Sequence, residues 1–473
     1  MLTALATLAL LTVVAIAPTS PQAASVPSAP QGLTAIALDS AVALAWRPST
    51  GADSYALYRG TSAGAITQLV TPAGFTGTSF KDTTAVNGST YFYEVHARGA
   101  PGESTSDQTV RANPVARACS TGNAIRLENC FPGTTAWKST DAETSYPHGI
   151  EGFLSASSVD AGGSVELRTT ADWDVPYHIE IYRTGHYGGT QGRLISQITG
   201  RSGQMGFCDK ALSTTGLIDC AVWDRAATIS TTSDWTTGVY LIKLVRDDNG
   251  THSEVPLVVR ADGGTSDILY GVPTSTYQAY NNYLGKSLYS YSSDGPTTVS
   301  GANRAVQASF DRPYAQPPSP STAHDYYTRT DLANVDWLEE NGYDVSFVAS
   351  EDIHTDGAQL KHHKVFISGS HDEYWSQQMF DAAIAARDAG TSLVFLGANA
   401  AYWRVRFISS PVSGHANRIM VGYKTIESGP VDPSGIATTT WRDPAGPNRP
   451  ENELIGQQYV GDNAAENYPL KVS

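Results

Sequence analysis

An apolar stretch, Val365, Phe366 and Ile367, runs through Gly369 and Ser370 into His371, Asp372 and Glu373. An imidazole and two carboxylates at the mouth of a buried strand can move protons or hold a cation. Further along, "SLVFLGAN" ends in Asn399, whose carboxamide can donate a hydrogen bond to a developing negative charge. The plain alternatives are a carboxylate that favours the start of the next helix and an asparagine that favours a turn. Nucleophiles nearby are few. No cysteine follows Cys220, which removes a Cys–His site, and "GSHDE" around Ser370 is not a G-x-S-x-G elbow. Asp372 and Glu373 are sequence neighbours whose side chains diverge, which disfavours the paired-carboxylate geometry of a glycosidase.

A metal is the other route. No H-E-x-x-H occurs, and the histidines are too scattered for a three-ligand zinc set. Tyrosine is abundant instead: "TSTYQAYNNYLGKSLYSY" carries Tyr277, Tyr280, Tyr283, Tyr289 and Tyr291, and "SFDRPY" adds Tyr314. Such rings are suited to a carbohydrate-binding or adhesive rim. Phenolate and carboxylate are also hard oxygen ligands, a set that suits a ferric ion acting as a Lewis acid.

The elements that must position these groups are legible as patterns. From about residue 265 the apolar runs "SDILYGV", "YDVSFVA", "KVFISG" and "SLVFLG" alternate with two amphipathic helices. These helices are "DLANVDWLEENG", with an Asp331 cap and a stop at Gly342, and "SQQMFDAAIAARDAG", closed by Gly390. Continuous apolar strands between helices predict a mainly parallel sheet covered on both faces, with ligands beyond the carboxyl ends of the strands. Residues 120–263 read instead as β structure with one buried face, Ile179 and Ile181 against His178, Glu180 and Tyr182. The Gly-rich tract "RTGHYGGTQGR" follows a strand there and opens no helix, so it does not read as a phosphate cradle.

Residues 28–112 carry short alternating strands, with Trp46, Tyr58 and the series Tyr91, Tyr93, Val95 and Ala97 pointing into a sandwich core. This segment resembles a fibronectin type III domain, with Tyr91 at the tyrosine corner, and it is assigned no chemistry. The fold class predicted is therefore multidomain β plus α/β. Two β-sandwiches (28–112 and 120–263) precede a three-layer α/β domain at 265–473, in line with about three domains for this length.

The formal net charge is −15 with no run of Lys or Arg, which disfavours nucleic-acid or anionic-membrane partners. Residues 1–24 read as a signal peptide, apolar from Leu2 to Ala17 but without a positive n-region. A secreted or extracellular location is expected, and with it the disulfides 119–130 and 208–220 as the economical pairing of four cysteines.

In order, "TYQAYNNYLGKSLY", "SFDRPY", "GSHDEYW" and "GANAAYWRVRF" resemble the large (β) subunit of N,N-dimethylformamidase and its secreted relatives, over roughly 120–473. The resemblance implies a mononuclear Fe(III) held by two tyrosines and a glutamate, matched here by Tyr280, Tyr314 and Glu373. Tyr277 and Tyr289 remain open for the second tyrosine. It further implies His371 and Asn399 as catalytic residues, a small-molecule amide as substrate, and a small partner subunit or homo-oligomer. A second glutamate, the general acid, is implied further along than Ser473; Glu451, Glu453 and Glu466 carry no motif for that role, and the chain is expected to be truncated at its C-terminus. The competing expectation is a catalytically inactive surface or polysaccharide-binding protein.

Overall fold

The computed structural model describes residues 25–139, 149–315, 326–425 and 431–458. The expected signal peptide, 1–24, and Glu466 lie outside the described residues. Both anticipated disulfides are formed, Cys119–Cys130 and Cys208–Cys220. No helix among the described residues is long and apolar enough to cross a membrane.

The N-terminal part is β structure, but its two expected sandwiches are not separate beads. One ten-stranded sheet runs through both, in the order Ser158–Asp160, His252–Arg260, Gly238–Arg246, Pro176–Thr184, Gly192–Ser202, Thr109–Ala112, Tyr91–Gly99, Ser54–Gly60, Gln68–Leu69, with Gly102–Glu103 on the side of Tyr91–Gly99. The join is antiparallel, with Val110 opposite Ile198. Each half has its own three-stranded sheet: Thr34–Leu38, Ala41–Ala45 and Ser79–Asp82 in the first, Arg225–Ser230, Ser164–Ala171 and Ile150–Leu154 in the second. Their buried residues merge into one apolar cluster that includes Trp46, Tyr93, Val110, Ile179, Ile198 and Leu244. Strand periodicity explains one inward residue that differs from the sequence reading. Along Ser54–Gly60, Tyr55 and Leu57 fill the core while Tyr58 faces the other side against His96. Tyr91 accepts from the backbone N–H of Val86, five residues upstream, as a tyrosine corner does.

Beyond residue 265 the four anticipated strands form a wholly parallel sheet in the order Val345–Ala349, Ile268–Val272, Val365–Ser368, Ser392–Phe395. Ile268, Tyr270 and Val272 point to one face, where Val335 and Leu338 of helix Leu332–Glu340 meet Val239, Leu241 and Val258 of the β-sandwich. Leu269, Val348 and Phe366 point to the other, against Ile353 and against Met379, Phe380 and Ala383 of helix Gln377–Asp388. A sandwich sheet thus shares the covering of one face with a helix. A further sheet was not anticipated: Gln307–Ser309, Ile419–Val421, Trp403–Ile408 and Tyr374–Ser376, the last pair parallel.

Ion pairs with almost no solvent contact lock the seams. Arg183, after strand residue Tyr182, donates to both carboxylate oxygens of Glu339 at 2.7 and 3.1 Å, and both side chains are fully buried. The Gly-rich tract at 183–193 is therefore a hairpin turn docked on a helix, with His186 Nδ1 2.8 Å from Asp336.

Candidate metal centre

Three oxygens converge at the mouth of the parallel sheet. The hydroxyls of Tyr280 and Tyr289 each donate to Glu373 Oε2 at 2.8 Å, and the two hydroxyls are themselves 2.8 Å apart. Glu373 and Tyr280 are buried. His371 is partly exposed, with Nε2 3.6 Å from the same Glu373 oxygen and its ring 5.6 Å from that of Tyr280.

Local chemistry fixes this arrangement. Tyr280 ends helix Thr274–Tyr280, whose side chains reach across to the segment bearing Glu373. Thr276 Oγ1 accepts from the backbone N–H of Glu373 at 3.0 Å, and Ser275 Oγ donates to the carbonyl of Tyr374 at 2.7 Å. The last carbonyls of the helix, orphaned by its end, are capped by the fully buried Arg312 of "FDRPY", which donates to Gln278 O at 3.1 Å and Asn281 O at 2.9 Å. On the far side, backbone N–H groups of Ala401, Tyr402 and Trp403 donate to the carbonyls of Asp372 and Glu373. Asn399 lies just before that ladder in a turn with φ 57°, a conformation asparagine tolerates.

The sequence-level choices divide accordingly. Tyr280, Glu373 and His371 come together, and the second tyrosine beside them is Tyr289. Tyr314, the first choice for that place, packs instead against the ring of Tyr326 at 5.3 Å and bonds to Gln278. The reason is the cap just described, since Arg312 and the Asn281–Pro313 bond pin "DRPY" to the outer end of the tyrosine helix. Tyr277 is committed to Asp331 at 2.6 Å, Tyr283 to Glu151 at 2.5 Å, and Tyr291 is 60% exposed. Ser370 donates to Thr330 O and accepts from Asn334, which fits a structural residue better than a nucleophile. Asp372 does not start the next helix, which begins at Gln377 under a Ser376 cap. It is buried against Ser368, and burial pushes its carboxyl up to about 7. Glu451 is buried and paired with Arg442.

Lys424 escaped the sequence reading. Its ammonium is buried, with Nζ 3.4 Å from the centre of the Tyr289 ring, 4.8 Å from Trp403 and 5.2 Å from Tyr374. A lone lysine in "VGYKTIE" gives no periodic signal; only the fold turns it inward.

Among the described residues no three His, Cys, Asp or Glu side chains group as a metal site. A metal here would draw on the tyrosines, and the donor set fits one. Two phenols and a carboxylate at mutual contact are anionic oxygen ligands once the phenol protons leave, a set that suits a hard trivalent ion.

Comparison with known proteins agrees with the C-terminal reading. A 76-residue stretch, 16% of this chain, is 36% identical to the N,N-dimethylformamidase beta subunit of Alcaligenes sp., of which it covers 10%. Among solved structures, an Fn3-like protein from Clostridium thermocellum is 29% identical over 19% of this chain and 91% of that chain, with a TM-score of 0.16. The fn3 domain of human collagen alpha-1(XX) chain is 22% identical over 22% of this chain and all of that chain, with a TM-score of 0.17. The family described as N,N-dimethylformamidase beta subunit-like, C-terminal, matches residues 178–473, well over half the length, and the chain belongs to that family.

Proposed function

We propose that this chain is the iron-binding part of a secreted amidohydrolase that cleaves a carbon–nitrogen bond of a small amide. The observation that carries the proposal is the mutual contact of Tyr280, Tyr289 and Glu373, each pair meeting at 2.8 Å. These three residues would hold a mononuclear Fe(III), which when bound supplies a Lewis acid for the amide carbonyl. Two disulfides favour an oxidising compartment.

The chain's own residues then have distinct tasks. The rings of Tyr280, Tyr289 and Tyr374, packed within 6.4 Å of one another, wall the site with apolar surface that excludes bulk water and suits N-alkyl groups. His371 Nε2, 3.6 Å from Glu373 Oε2, is placed to take a proton from an attacking water. The carboxamide of Asn399 would donate to the oxyanion that forms at the carbonyl carbon. Collapse breaks the C–N bond, the nitrogen leaves with the proton that His371 took from the water, and the carboxylic acid formed passes its remaining proton to the amine, so that one water gives one carboxylate and one protonated amine.

The test is hydrolysis of a small tertiary amide by iron-supplied protein, followed by amine release. Glu373→Gln should abolish turnover while keeping the fold. Equal rates in the two proteins would refute the assignment.

A further inference from the structure

Asp331 opens helix Leu332–Glu340, and the sequence reads it as a cap, yet its carboxylate makes no capping bond. It is fully buried and turns inward, where four neutral donors satisfy it. Tyr270 Oη and the backbone N–H of Ser370 donate to Oδ1 at 2.5 and 2.9 Å, while Tyr277 Oη and Thr330 Oγ1 donate to Oδ2 at 2.6 and 2.7 Å. Two of these donors belong to the elements that bear the candidate ligands. Tyr277 is one turn before Tyr280 on the same helix, and Ser370 immediately precedes His371 and lies three residues before Glu373. The loop passes so close that a Cβ built on Gly369 would lie 2.5 Å from Asp331 Oδ1, and Asn334 grips Ser370 Oγ a second time at 2.6 Å.

We infer that Asp331 is a positioning residue for the metal centre, a buried carboxylate that fixes the tyrosine helix and the His371–Glu373 loop in one geometry. The inference rests on the iron reading above. A metal site needs its ligands held close to their bound positions, and such outer partners typically change metal affinity by about 10–100-fold when removed. Asp331 touches neither ligand directly; it acts through Tyr277 and the Ser370 amide.

Tyr270 and Tyr277 allow the test, because both lose one hydroxyl to the same carboxylate but only Tyr277 lies on a ligand-bearing element. Tyr270→Phe, Tyr277→Phe and Asp331→Asn are compared with wild type in full-length chain. The readouts are iron retention against a chelator, the visible tyrosinate-to-iron band, and amide hydrogen exchange of 274–281 and 369–373 without metal. The expected result is about 10–100-fold weaker iron retention and a shifted band for Tyr277→Phe and Asp331→Asn, with Tyr270→Phe like wild type. Exchange should rise in both peptides for Tyr277→Phe only, among the two tyrosine variants. If Tyr270→Phe and Tyr277→Phe behave alike, Asp331 is merely structural and the inference is overturned. If wild type takes up no iron, the proposed function falls, and the exchange pattern still decides whether Asp331 couples helix to loop. Should Asp331→Asn fail to fold, the tyrosine pair carries the decision.

Discussion

Arg193→Met probes the seam that fuses the fibronectin-like half to the rest. Arg193 is nearly fully buried; it donates to Glu128 at 2.5 Å and to the carbonyl of Ala37 in the first strand, and it stacks 3.7 Å over the Phe131 ring. Methionine keeps much of the stem volume but removes the charge. Glu128, also buried, is then left with the hydroxyls of Tyr187 at 2.8 Å and Thr236 at 3.4 Å. Removing one partner of a buried pair costs about 3–5 kcal/mol because the other charge stays behind. At roughly 2–4 °C per kcal/mol for a unit of this size, the thermal midpoint should fall by about 6–20 °C near pH 8.

The pH dependence identifies the cause. Burial pushes the Glu128 carboxyl up, but the Arg193 and Arg183 guanidiniums more than offset this and hold it below its ordinary 4.5. In wild type this depressed group contributes stability above its unfolded value, and the contribution is lost as pH falls through the folded value. In the variant the Arg183 guanidinium and the Tyr187 hydroxyl remain to oppose burial, and the expected outcome is that burial wins and the carboxyl rises above its unfolded value. The variant therefore recovers stability as pH falls toward 4.5, and its deficit relative to wild type is largest at about pH 8 and shrinks at about pH 5. Thermal melts at both values test this. A loss under about 1 kcal/mol, or an equal loss at both, would refute the reasoning.

Asn399→Gly should keep stability within about 0.5 kcal/mol, because glycine accepts φ 57°, while slowing turnover if the carboxamide acts on the substrate. Circular dichroism melts beside amine-release rates separate the turn role from the chemical one. Lys424→Met should tighten iron retention, because a buried ammonium 3.4 Å over the Tyr289 ring repels a trivalent cation held by that tyrosine, and chelator competition reads this. Replacing Cys208 and Cys220 by serine should cost about 2–4 kcal/mol by denaturant titration, as this link closes a short loop against the cluster of Phe153, Trp223 and Tyr283.

The legible parts of the molecule were those set by local pattern. Four apolar runs became the parallel strands, since a strand covered on both faces demands continuous hydrophobicity, although Ser392–Phe395 at the edge stays partly exposed. Glu373 and His371 lie where the strand pattern puts them, after one of those strands. Three features were hidden because they depend on distant or aperiodic structure. Tyr289 sits in a tract of single 3-10 turns at 281–293, where no period tells which ring faces Glu373. The shared sheet depends on Thr109–Ala112 finding Gly192–Ser202 across a long sequence separation, which no strand pattern specifies. Asp331 has the right residue type and place for a cap, and tertiary partners, Tyr270 and Tyr277, outcompete that local role.

The most direct test of the central claim is iron content with a visible spectrum on purified, iron-supplied chain, in wild type, Tyr289→Phe and Tyr314→Phe. About one iron per chain and a tyrosinate-to-iron band are expected in wild type and Tyr314→Phe, with the band weakened or lost in Tyr289→Phe. Iron-free, colourless wild type, or a band lost in Tyr314→Phe but kept in Tyr289→Phe, would contradict it.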